Sequence, residues 1–258
     1  MTRRLLCLLA LLAVATLEPI RPAQAVADHS AECRVAEHQI ERNFALPQVT
    51  RAIAAKKLSV LVIGAGSSQL PGSSGTKNAY PERLQHALAE KLPGVDVKLT
   101  VDVKSKRSAA DMVKAMAPDL ADAKPALVVW QTGTVDAMQA VDPDVFSQML
   151  DRGVNTARSA GADVVFINPQ YSPRTESMIA LSTYAENMRW VALQHEVPLF
   201  DRFSIMKLWA DMGTFDFYST TKKLDMAERV HDCLGRLLAD VVLEAAKPSE
   251  PHAEGGQK

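Results

Sequence analysis

Short, apolar, β-branched runs recur along this chain, and each is separated from the next by a longer segment with helical spacing. Residues 58–63 (LSVLVI), 126–131 (ALVVWQ) and 163–167 (DVVFI) are such runs; residues 95–101 alternate like a strand, and 197–200 make a short fifth. Runs this short and this apolar predict strands buried on both faces. Helical segments fall between them: 80–92, stopped by Pro93-Gly94; 108–123, with Ser108 as its cap; 143–160, stopped by Gly161; and a long one over 175–195. Two more are predicted at 203–212 and 226–246, the latter with Val230, Leu234, Leu237, Leu238, Val241 and Val242 on one stripe. Strands alternating with helices predict an α/β fold, a three-layer sandwich around a five-stranded parallel sheet. With 258 residues, 47% of them hydrophobic and 23% charged, the chain can build one sizeable core.

The two ends lie outside that pattern. Arg3 and Arg4, the apolar run over 5–17 and the small residues of Ala23-Gln24-Ala25 predict a signal peptide over 1–25, with an uncleaved anchor as the alternative. The run is too short for a comfortable transmembrane helix, so no stable membrane span is expected after cleavage, and the location implied is periplasmic or secreted. Residues 26–57 read as a polar lead-in, 58–246 as the domain and 247–258 as a disordered tail. Cleavage leaves Cys33 and Cys233, which an oxidising compartment would pair; two buried free thiols are the alternative. A net charge of −1 gives no reason to expect nucleic acid as a partner. No His, Cys, Asp and Glu spacing suggests a metal, and no cofactor is expected.

In a parallel sheet, ligands sit beyond the carboxyl ends of the strands. Four such ends are candidates: 64–72, 105–106, 133–136 and 168–174. The first reads VIGAGSSQLPG, where small residues let the chain turn sharply and present a serine. A dinucleotide-binding loop is the rival reading, but Gln69 stands where the third glycine belongs.

Four segments together resemble the SGNH (GDSL) hydrolase family: the Gly66-Ser67-Ser68 turn, the Tyr80-Pro81 helix start, WQTGT after the third strand, and Asn168-Pro169-Gln170-Tyr171-Ser172-Pro173-Arg174 after the fourth. The resemblance implies a flavodoxin-like five-stranded sheet and acyl-ester hydrolysis by a serine, a histidine opening the last helix, and an aspartate three residues before it. Oxyanion donors would follow the second and third strands. Ser68 matches the nucleophile, and Ser105 falls near the first oxyanion donor. Val135 stands where the family has asparagine, and valine has no side-chain donor. Asp225 stands at the histidine position and Lys222 at the aspartate position, while His231 is the alternative base. An aspartate is a far weaker base than imidazole at neutral pH.

Two functional expectations follow. In one, an exported SGNH-like protein with weak or lost ester-hydrolase activity binds a ligand or partner in the cell envelope: a small-molecule ester, an acylated glycan or an envelope protein. In the other, the protein is an active serine esterase or deacylase that uses Ser68 with a rearranged base. Arg174 is a candidate to face the ligand. Lys104, Lys106 and Arg107 read as solvated loop charge, Trp130 and Tyr171 as packing groups, and Met178, Met188, Met206, Met212 and Met226 as helix packing.

Overall fold

The computed structural model describes residues 31–35, 37–39, 44–218 and 224–247. The expected signal segment, Lys222 and all of the tail beyond Lys247 lie outside the described residues. The strands are β1 (Lys57–Gly64), β2 (Asp96–Val103), β3 (Leu127–Gln131), β4 (Asp163–Ile167) and β5 (Leu199–Phe200). They form one parallel sheet in the order β2-β1-β3-β4-β5. The helices are α1 (Pro47–Ala54), α2 (Gly75–Asn78), α3 (Tyr80–Lys91), α4 (Ala109–Ala123), α5 (Thr134–Met138), α6 (Pro143–Ser159), α7 (Pro173–Glu176), α8 (Leu181–Gln194), α9 (Arg202–Asp211) and α10 (Leu224–Ala245).

The strand order reverses direction at β1. A right-handed crossover from β1 to β2 therefore puts its helix on one face, and those leading to β3, β4 and β5 put theirs on the other. Accordingly α4, α6 and α8 pack side by side, while α3 packs against α10. All five residues of β3 are buried, as a central strand covered on both faces requires. Gly153 lets α6 lie directly on Trp130: a Cβ there would fall 2.2 Å from the indole. Cys33 and Cys233 are joined with their Cα atoms 5.1 Å apart, tying the lead-in to α10. No described helix is long and apolar enough to cross a membrane.

The five strands and the main helices fall within a few residues of the sequence reading, and Ser108 caps α4 in a reciprocal box with Asp111. The long helix expected over 175–195 is instead two, α7 and α8. Ser172 caps the first, and the Ser177 hydroxyl bonds the Arg174 carbonyl at 2.8 Å as the turn ends. A fresh start at Leu181 then buries Leu181, Tyr184, Ala185 and Met188 along one stripe. Arg107 is not solvated: it is 8% exposed and paired with Asp102, whose carboxyl is held below its usual range despite burial, through hydrogen bonds from Arg107 and others. Met188 and Met206 pack in the core as expected, but Met178 and Met212 lie on the surface.

Candidate functional site

The order β2-β1-β3-β4-β5 places the topological switch between β1 and β3, where a crevice opens beyond the strand ends. A cleft of about 520 Å³ occupies that place, lined by Gly66, Ser67, Ser105, Val135, Met138 and Gln170 among others. The side-chain position of Gly66 is empty, and a Cβ there would meet the Ser105 hydroxyl at 3.5 Å. Ser105 and Val135, both expected near the oxyanion position, do line one cavity together.

Ser68 is not part of that lining; with Gln69, Thr76, Ala79 and Pro81 among others it lines a separate cavity of about 200 Å³. β1 ends at Gly64, Ala65 is extended, and Gly66–Ser68 makes a single 3-10 turn closed by the Ser68 N–H on the Ala65 carbonyl. The turn folds the Ser68 side chain back over Gly64, where a Cβ would lie 2.3 Å from its hydroxyl oxygen. Only glycine at 64 leaves room for this. Ser68 is 1% exposed, and its hydroxyl donates to Gln131 Oε1 at 2.8 Å. The same amide oxygen accepts from the Ala65 N–H and the Ser67 hydroxyl. A backbone N–H can only donate, so it fixes which end of the Gln131 amide faces the turn. With its own proton committed to Gln131, the Ser68 oxygen can only accept from the Tyr80 phenol, 3.0 Å away.

Tyr80 and His231 complete the cluster without activating Ser68. Burial raises the Tyr80 phenol to about 12, so it holds its proton at neutral pH. The Tyr80 backbone N–H donates to His231 Nδ1 at 3.0 Å, which uses that lone pair and leaves the ring proton on Nε2. Burial, reinforced by the charge of Arg202, pushes His231 down to about 3. Ser68 and His231 thus bond opposite ends of Tyr80, one at the phenol and the other at the main chain. Asp225 is exposed on the first turn of α10, and Arg174 is exposed on α7 away from the residues that line the cleft.

Three polar residues that build the site were not singled out from sequence. Gln131 closes an otherwise apolar strand, and that break in pattern was its signal. Arg202 follows β5, whose end is not among the four candidate strand ends. It is 1% exposed; Nη1 donates to the Ser67 carbonyl at 3.0 Å and Nη2 to Gln170 Oε1 at 3.1 Å. Among the described residues no carboxylate stands within ion-pair distance of it, and burial lowers it to about 10, still charged at neutral pH. Asp136 is 2% exposed and accepts the Ala109 N–H at 3.0 Å, pinning the end of β3 to the start of α4; burial raises its pKa. Farther along, Asn168 bonds the Asp201 carboxylate and the Phe203 N–H, joining the ends of β4 and β5 beneath Arg202.

The model of the Non-GDSL lipase-like family matches residues 32–248. None of the curated proteins matches the chain. Among solved structures, a lipase/acylhydrolase from Enterococcus faecalis superposes with a TM-score of 0.57 at 16% identity, over 70% of this chain and 93% of that one. A catalytic mutant of Axe2, an acetylxylan esterase from Geobacillus stearothermophilus, gives 0.58 at 14% identity over 75% and 97%. TesA gives 0.54 at 22% identity over 69% and 97%. At these identities the likeness is one of fold.

Proposed function

The chain belongs to the Non-GDSL lipase-like family, and on that footing we propose that this SGNH/GDSL-hydrolase-like fold serves as an exported binding domain for an acylated ligand in the cell envelope, with ester hydrolysis weak or lost. The observation that carries this reading is the state of Ser68. Its proton is held by an amide oxygen, its lone pair accepts from a phenol, and it lies outside the cleft that Ser105 and Val135 share. Attack on a carbonyl needs a base to take the serine proton as the bond forms. Gln131 Oε1 cannot be that base, Tyr80 keeps its proton, and His231 has its Nδ1 lone pair occupied.

Val135 and Met138 are apolar groups of the cleft lining, and Ser67, Ser105, Lys106, Thr134, Gln139 and Gln170 are polar ones. That mixture suits an acyl group carried on a polar body, such as an O-acetylated oligosaccharide. Export is supported by the leader-like first 25 residues and by the Cys33–Cys233 bridge, since such bridges persist in oxidising compartments.

The test is hydrolysis of 4-nitrophenyl acetate by the chain from residue 26 onward, alongside Ser67→Ala and Ser68→Ala. The expected result is the same slow background in all three. Turnover well above background in the unsubstituted protein, abolished by Ser68→Ala, would establish the esterase and overturn the proposal.

A further inference from the structure

The cleft has no side-chain donor at position 135, yet two amides stand on its wall: Gln139, which is exposed, and Gln170. Gln170 lines the cleft together with Val135 and is half-buried. Its orientation is set from below by Arg202. A guanidinium has five N–H donors and no acceptor, so the Gln170 atom facing Arg202 Nη2 at 3.1 Å must be the oxygen. The amide NH₂ then has no hydrogen-bond partner among the described residues. Arg202 is itself fixed, because its other terminal nitrogen holds the Ser67 carbonyl at 3.0 Å and its guanidinium lies 5.9 Å from the centre of the Tyr80 ring.

A fully buried guanidinium without a carboxylate is costly to keep, and two neutral oxygens compensate for it only in part. Among the described residues, Arg202 Nε has no partner at all. Both of its bonds go to groups on the cleft wall. A cation pulling on Gln170 Oε1 also polarises the amide, which makes its N–H a stronger donor.

We propose that Gln170 is the donor that holds a ligand's acyl carbonyl oxygen in this cleft, and that Arg202 is its positioning residue. The proposal rests on the cleft being a ligand site. It assigns the polar anchor to the end of β4, whereas the resemblance would place it after β3, and it makes the carbonyl oxygen the recognised atom. No bond is made or broken.

The experiment is a titration of protein labelled with ¹⁵N and ¹³C, following the Gln170 side-chain NH₂ signals and the methyl signals of Val135 and Met138, with two probes: O-acetylated xylotriose and methyl acetate. Both should move the Gln170 signals together with the methyls of Val135 and Met138. Gln170→Met should weaken the binding of either probe by about tenfold. Gln170→Glu should abolish binding yet raise the thermal midpoint, because a carboxylate now faces Arg202 and the donor is gone. A merely structural role would move stability and affinity in the same direction. Shifts with methyl acetate alone would support Gln170 and refute the glycan ligand. Shifts at Val135 and Met138 without Gln170, or undiminished affinity in Gln170→Met, would overturn the assignment while leaving the cleft a ligand site. No shift at any of the three residues with either probe would overturn both.

Discussion

Acid should weaken this protein through His231, and replacing it with asparagine should remove that weakness. The folded value is about 3 and the side chain is 5% exposed, against about 6.5 for an unfolded histidine. The folded state thus binds fewer protons than the unfolded one between those values. Stability is fully present above about pH 6.5 and is lost as pH falls toward 3. The unfolded ring gains about RT ln(1 + 10^1.5), roughly 2 kcal/mol, at pH 5, and about 0.2 kcal/mol at pH 7, while the native ring gains almost nothing at either pH. The difference is about 2 kcal/mol between pH 7 and pH 5, a sizeable part of the roughly 5–15 kcal/mol of a typical domain. In His231→Asn the side-chain oxygen can still accept the Tyr80 N–H, and nothing titrates. Urea unfolding at the two pH values reads the effect. The unsubstituted protein should lose about 1 M more in midpoint than the variant, for a slope near 2 kcal/mol/M. The buried carboxyls Asp136 and Asp163 titrate in both proteins and cancel in this comparison. Equal midpoint losses in the two proteins would refute the reasoning, since His231 would then be free to take its proton in the folded state.

Gly153→Ala should lower the thermal midpoint, because its Cβ would fall 2.2 Å from the Trp130 ring; overpacking of this kind costs about 1–3 kcal/mol. Cys33→Ser together with Cys233→Ser opens a link across 200 residues and should cost up to about 5 kcal/mol by the chain-entropy argument, read from urea midpoints with and without reductant. Val135→Asn restores a donor to the cleft but gives Ser68 no base. Its 4-nitrophenyl acetate turnover should stay at the level of the same variant carrying Ser68→Ala, and a clear excess would show that the oxyanion donor was the missing part.

The fold was legible because strand and helix announce themselves in local pattern. Residues 163–167 are β4 as read, and the apolar stripe from Val230 to Val242 is the inner face of α10. The split between α7 and α8 was not legible, since no glycine or proline marks it and the turn that ends α7 carries only the Ser177 hydroxyl on the Arg174 carbonyl. At the site, sequence located the strand ends that frame the cleft and named Ser105 and Val135. It had no means of giving the direction of Ser68, which depends on a contact between its hydroxyl and the bare Cα of Gly64. The place of His231 along its own helix relative to Asp225 does not give its partner. What matters instead is that α3 packs on α10 and lays the Tyr80 backbone across the imidazole.

The polar groups under the cleft form one chain of fixed donors and acceptors. Arg202 holds the Ser67 carbonyl, the Ser67 and Ser68 hydroxyls share Gln131, and Tyr80 joins Ser68 to His231. A hydrolase turn needs one hydroxyl whose proton can leave, which means a partner whose pKa is matched to that task. Here Tyr80 is driven up to about 12 and His231 down to about 3, while Arg202, though lowered to about 10, stays charged. None of them changes protonation near pH 7. Such a network fixes geometry, and on the proposed reading it supports a wall that presents Gln170 and Ser67 to an acyl group.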